Sequence, residues 1–293
     1  MRIFVTGASG WIGSAVVPEL VSHGHQVLAL ARSDASAAAV RAAGADAISG
    51  DLENAALLRE AAEGSDAVIH IAYRHDLGQT GGAEADANAI GAFLAAASGT
   101  DKRVIVTGAT ITTPGRSATE DDPLLPIGPI AARIENLRNA LAAAHDGVDV
   151  SLVMIPRSVH GDGERHGFIP QLIARARENG VSAYVGDGEN RWPAVHIADT
   201  AVLYRLAVES APRGSVLHAV GEEGVRLRRI AEAIGRQLDL PAESRPAAEF
   251  GMPLGALLGI DMPASSIRTQ ELLQWHPTHP GIIEDIELGH YFV

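Results

Sequence analysis

Short apolar runs alternate with amphipathic stretches through the first half of the chain. Period-two or fully apolar runs predict strands near 2–6, 26–31, 45–49, 66–71, 103–107 and 148–155. Helical spacing of apolar positions fills the gaps, near 12–23, 35–43, 54–63, 83–98 and 129–145. Strand and helix in strict alternation imply an α/β fold, a doubly wound parallel sheet with helices on both faces. Residues 109–128 follow the fifth strand and are rich in turn formers, so they read as a long loop over its C-terminal edge, where loops touch ligands. Beyond residue 157 the pattern breaks into short mixed elements with more Pro, His and Trp. The expected organisation is a dinucleotide-binding domain over 1–156 and a smaller substrate lobe over 157–293, with segments of the lobe returning to the first domain. Within that lobe Tyr184 reads as strand core, Glu222 to Leu238 as one amphipathic helix, and Ser265 to Leu273 as a capped helix. Phe250 to Met262 reads as an apolar segment that packs on a neighbour or covers the pocket.

Composition narrows the function classes. With 46% hydrophobic residues among 293, the chain has enough apolar surface for a core. A net charge of −13 argues against general affinity for nucleic acid or an anionic membrane. The absence of cysteine excludes disulfides, thiolate nucleophiles and cysteine-based zinc sites. It also fits a cytoplasmic protein, as does a first strand that starts at residue 2 and leaves no room for a signal peptide. No apolar run approaches the ~18 residues of a membrane-spanning helix.

The densest chemistry lies at the start. The first strand breaks into Gly7-Ala8-Ser9-Gly10-Trp11-Ile12-Gly13 and then into a helix. Glycines at this spacing let the chain turn sharply and let helix pack close to strand, while helix amides and dipole point at an anion. The reading is a dinucleotide phosphate site; a purely structural strand-to-helix turn is the competing one. At the end of the second strand, about twenty residues on, an NAD site places an acid on the ribose 2′-hydroxyl. Arg32 and Ser33 stand there instead, and a guanidinium with a hydroxyl suits a 2′-phosphate, so NADP is favoured over NAD. Ser33 is also placed to cap the next helix. Asp51-Leu52 follows the third strand, where it meets an adenine or caps the helix beyond. Ile71, Ala72, Tyr73 and Thr107 close the fourth and fifth strands, where small residues let backbone approach a ligand.

Together these pieces resemble the short-chain dehydrogenase/reductase superfamily, in its extended or atypical branch of epimerase-like and dehydratase-like proteins with a Rossmann-type sheet. Gly7 to Gly13 matches the nucleotide motif and Asp51-Leu52 the adenine-contact pair, while His70-Ile71-Ala72 resembles the segment below the nicotinamide ribose and Asn88 the helix asparagine of that family. Arg157 with Gly161-Asp162-Gly163, then Gly186-Asp187-Gly188 and Val195-His196-Ile197-Ala198-Asp199, resemble later signatures of that branch. The resemblance implies a nicotinamide cofactor, a small-molecule substrate and a homodimer built on the helices at 83–98 and 129–145. It also implies a tyrosine acid/base, a lysine four residues later and an upstream serine or threonine. Laying residues 127–137 on that pattern puts Ile127 at the tyrosine and Ala131 at the lysine, while the serine position falls on Ala109 or, one residue off, on Thr110. No lysine follows Lys102 anywhere in the chain.

Replacements for the missing groups are Tyr73, which either packs as an aromatic on the cofactor or, flanked by Arg74 and His75, titrates below its ordinary value, together with Thr110 and a cleft histidine such as His196. His160, Arg191 and Trp192 are expected to line the substrate pocket, Arg191 for an anionic group and Trp192 as a stacking face. No histidine spacing matches a metal motif, so no metal is expected. Two functions fit: an NADP-dependent oxidoreductase or epimerase-like enzyme with a non-standard proton-transfer group, and a non-catalytic NADP-binding sensor.

Overall fold

The computed structural model describes residues 1–251 and 254–293. Met252 and Pro253, within the apolar stretch Phe250 to Met262, lie outside the described residues. The first half runs β1 (Arg2–Thr6), α1 (Trp11–Ser22), β2 (Gln26–Ala31), α2 (Asp34–Ala42), β3 (Asp46–Ser49) and α3 (Ala55–Glu63). It continues through β4 (Ala67–His70), α4 (Gly78–Ala97), β5 (Arg103–Ala109), α5 (Ala131–Ala142) and β6 (Asp149–Ile155). Then follow β7 (Ser158–His160), α6 (Phe168–Asn179), β8 (Ser182–Tyr184), β9 (Arg191–His196), α7 (Ile197–Ser210) and β10 (Val216–His218). The chain closes with β11 (Glu222–Arg226), α8 (Leu227–Leu238), β12 (Ala242–Ser244), α9 (Leu254–Leu258), α10 (Ile267–Leu273) and α11 (Ile282–Glu287).

Seven strands form one sheet in the order β10-β6-β5-β4-β1-β2-β3, and every neighbouring pair is parallel. Ile3, Phe4, Val5, Val104, Ile105 and Val106 have no exposed surface, as a sheet covered on both faces requires. One face carries α1, α2 and α7 through Val16, Leu20, Val40, Leu203 and Tyr204. The other carries α3, α4 and α5 through Leu58, Phe93 and Leu137. The strand order reverses between β1 and β4, which opens a crevice at their C-terminal ends. A third core, around Trp192, Ile173, Ile230, Ile234 and Ile286, holds the later segments together.

Two sequence expectations change here. The seventh strand, β10, comes from the second half and pairs Val216 with Leu152; three residues are too few to show a period. The single helix expected over Glu222 to Leu238 is a strand followed by a helix, because Glu222–Arg226 pairs antiparallel with β9. No helix among the described residues is long and apolar enough to cross a membrane.

Candidate active site

β1 delivers the chain into a turn that only glycine tolerates. Gly7 has φ of 73°, and a Cβ there would lie 2.7 Å from the Ala72 nitrogen, so β1 and the residues after β4 meet backbone to backbone. A Cβ on Gly13 would lie 2.1 Å from the Gly7 carbonyl, so this glycine brings α1 down onto the turn. Below the turn, the Thr6 hydroxyl meets His70 Nδ1 at 2.7 Å and His70 Nε2 meets Asp86 at 3.2 Å, which ties the ends of β1 and β4 to α4. Gly10 stands at the N-cap of α1 without a side-chain cap, and the first turn carries no acid. The first amides of α1 therefore face the crevice with no intrahelical acceptor, at the positive end of the helix dipole. This cradle fits a dinucleotide pyrophosphate.

The turn opens on a cleft of about 1330 Å³. Gly7, Ser9, Gly10, Trp11 and Ile12 line it, as do Arg32, Ser33, Asp51 and Leu52 on the β2–β3 side. Ile71, Ala72, Tyr73, Thr107 and Thr110 line the stretch beyond β4 and β5. Gly13 sits behind the turn and serves it through packing. Arg32 is half exposed and stands 3.7 Å from Asp76. Ser33 caps α2, accepting from the Ser36 amide at 3.2 Å, and both serines border the cleft. Asp51 does not cap α3: its carboxylate accepts from the Glu53 amide at 2.9 Å, while Asn54 provides the cap. Asn88 donates to the Leu52 carbonyl at 2.6 Å and so holds the β3 exit against α4.

Tyr73 is placed on the cleft but does not titrate low. Burial pushes its hydroxyl above the ordinary value of 10.0, and the opposing cation is Arg133, whose guanidinium lies 4.2 Å over the ring. Arg74 instead pairs with Asp76 at 2.8 Å and Glu53 at 3.2 Å, and burial pushes His75 below its ordinary value. Ile127 is 70% exposed ahead of α5, and Ala131 is the first residue of that helix. Lys102 precedes the first residue of β5, where it donates to the Glu63 and Ser65 carbonyls; Thr107 and Thr110 lie at the opposite end of that strand.

Four expected pocket residues stand elsewhere. Trp192 has no exposure and belongs to the third core, because β9 turns it inward against Phe168. Arg191, its neighbour on the opposite face of the strand, forms a bidentate pair with Asp261 at 2.8 and 3.0 Å. His160 is buried and bonds Asp285 at 2.9 Å. His196 caps α7 by accepting from the Ala198 amide at 3.2 Å, and its ring stacks on His279. None of the four borders the cleft. Beyond β5 and β6 the cleft is lined by Arg133, Arg157, Glu164, His166 and Phe168. Arg157 lies 5.4 Å over Phe168 and 6.0 Å over Trp192, and burial lowers its pKa. Glu164 accepts a 2.7 Å bond from the Tyr291 hydroxyl, and burial pushes its pKa up to about 7. Tyr291 reaches this point from two residues before the chain's end, a contact that no local pattern announces. Among the described residues no cluster of three or more His, Asp or Glu is arranged to hold a metal ion.

Comparison with known proteins agrees with this geometry. Residues 3–219 match the model of the NAD dependent epimerase/dehydratase family. An uncharacterised Schizosaccharomyces pombe protein is 41% identical over 299 residues, covering 100% of both chains. A 2-alkyl-3-oxoalkanoate reductase of Stenotrophomonas maltophilia is 31% identical over 230 residues, 73% of this chain and 67% of its own. In fold, the chain is similar to dTDP-glucose 4,6-dehydratase of Bacillus anthracis, solved in complex with NAD, with a TM-score of 0.79 and 16% identity over 98% of this chain and 94% of that one. On the strength of the family match, with the sheet order and glycine cradle beside it, the chain belongs to the NAD dependent epimerase/dehydratase family.

Proposed function

We propose that the protein is an NADP-dependent oxidoreductase of this family, acting on a small carbonyl or alcohol without the tyrosine–lysine pair. The observation that carries it is the cradle: Gly7 against Ala72, with the uncapped α1 opening on a cleft large enough for a dinucleotide and a substrate. In this reading Gly7, Ser9, Gly10, Trp11 and Ile12 hold the pyrophosphate, and Asp51 and Leu52 border the adenine. Arg32 and the α2 N-terminus with Ser33 and Ser36 take a 2′-phosphate; Arg32 need only release Asp76, to which it is held at 3.7 Å. Ile71, Ala72, Tyr73 and Thr107 border the nicotinamide ribose. A nicotinamide bound there supplies or accepts the hydride. Thr110 offers a hydroxyl to orient the substrate oxygen, and Arg133, already over Tyr73, offers a cation to it. The reductase relative supports reduction of a carbonyl as the direction.

The test is deuterium transfer from 4-deuterated NADPH to a panel of 3-oxoesters and sugar nucleotides. Deuterium at a new carbinol carbon is the expected result. Saturable NADPH binding with no transfer to any member of the panel would replace the enzyme with a non-catalytic NADP sensor, a role consistent with Ile127 and Ala131 at the expected catalytic positions.

A further inference from the structure

We infer that Glu164, held in place by Tyr291 from the end of the chain, is the group that gives a proton to the substrate oxygen and takes it back. This inference rests on the oxidoreductase reading above and names the residue that completes it. Glu164 lines the cleft yet is only 8% exposed. Its Oε2 accepts from the Tyr291 hydroxyl at 2.7 Å, while the Tyr291 oxygen accepts from the Gly161 amide at 3.1 Å. That arrangement commits the phenolic hydrogen to Glu164, since the alternative acceptor, Asp285 Oδ2, lies farther away at 3.4 Å. The other carboxylate oxygen sits over Gly167: a Cβ there would lie 1.5 Å from Oε1, so a side chain at 167 would displace the carboxylate from this position.

Burial, with a smaller contribution from the charges around it, favours a carboxyl that exchanges its proton. Asp285 lies behind Tyr291 and is itself faced by His160 at 2.9 Å and His290 at 3.7 Å. His196 stands edge-on to His160 at 5.5 Å. Asp162, Arg165 and His166 flank Glu164 on its own loop. Burial raises the Glu164 pKa to about 7, the Tyr291 bond opposes that rise and Asp285 adds to it. An acid poised near the working pH is the kind that proton transfer favours. Two other kinds of cleft group hold their protons too tightly: the Tyr73 hydroxyl is raised above 10.0, and the arginines stay protonated. In reduction, Glu164 gives its proton to the carbonyl oxygen as hydride from the reduced nicotinamide reaches the carbonyl carbon. The products are an alcohol, an oxidised nicotinamide and a Glu164 carboxylate, which regains a proton from water; oxidation reverses each transfer.

Two readouts test this. The first is infrared titration of the protein without added cofactor. It should show a protonated carboxyl with a midpoint near pH 7 that Glu164→Gln removes and Tyr291→Phe moves to higher pH, because the hydroxyl that holds the pKa down is gone. The second is turnover of 4-deuterated NADPH with a 2-alkyl-3-oxoalkanoate ester. The wild-type kcat should fall as pH rises through about 7, and Glu164→Gln should lower kcat by about 100-fold with NADPH affinity unchanged. An unchanged kcat and pH profile in Glu164→Gln would overturn this inference and leave the oxidoreductase reading standing. Failure of the wild type to transfer deuterium, with the carboxyl band titrating as described, would overturn that reading and the role with it. A neutral-pH band that survives Glu164→Gln would overturn the inference by itself. If Glu164→Gln does not fold, an unmoved midpoint in Tyr291→Phe overturns it.

Discussion

Trp192 and Arg191 are consecutive on β9, and the two-residue period of a strand sends them to opposite faces. Trp192 fills the third core among Ile169, Ile230 and Ile282, and Arg191 goes outward to Asp261. Trp192→Ala should therefore cost about 3–5 kcal/mol of stability, as a large buried aromatic does, with NADPH affinity unchanged; urea denaturation and a cofactor titration check the two halves. A loss below about 1 kcal/mol would place the side chain outside the core. The glycines, Ser9, Arg32, Asp51, Tyr73 and Thr110 were legible because each follows directly from a strand end, and a parallel sheet gathers its strand ends on one edge. His160 and Trp192 were not, since a short strand of apolar and aromatic residues does not reveal which face looks into a cleft. The Glu164–Tyr291 contact was illegible for a different reason: 127 residues separate its partners, and no local pattern joins them.

At the scale of elements, the alternating first half could be read almost directly, because each strand is bounded by a turn and followed by a helix with its own period. What local reading lost are elements defined by their partners. β10 exists through β6, and β11 through β9. The long loop after β5 is likewise anchored by the chain's later part: Ala118 bridges to Ala264, and Glu120 accepts from both the amide and the hydroxyl of Thr269 at 2.8 and 2.7 Å. His218, at the end of β10, joins this clasp through Ser265 at 2.7 Å and Thr269 at 2.7 Å. Burial holds its pKa below the ordinary 6.5. The folded clasp therefore binds a proton less readily than the unfolded chain, so its contribution is complete above about pH 6.5 and is lost as pH falls toward the folded value. Denaturation midpoints measured from pH 7.5 to pH 5 should fall in the wild type and fall less in His218→Gln. Equal slopes would contradict the clasp's sensitivity to acid.

The whole molecule carries a net charge of −13, yet the cleft concentrates cations. Arg32, Arg74, Arg133, Arg157 and Arg165 line it against Asp51, Asp162 and Glu164. An acidic surface with a basic cleft repels polyanions in general and focuses a small phosphorylated ligand on one place. In the proposed reading the sheet offers that place at its topological switch point and the glycine cradle offers the amides, while the segments after β6 complete the lining with Glu164 and Arg157. The central claim is that this cleft takes a nicotinamide dinucleotide and prefers the 2′-phosphorylated one. Calorimetric titration of the wild type and Arg32→Ala with NADPH and NADH tests it most directly. The account predicts saturable binding of both, tighter for NADPH, with Arg32→Ala removing most of a gap of about 1–3 kcal/mol. Equal affinities in the wild type would contradict the preference, and no saturable binding of either would contradict the site itself.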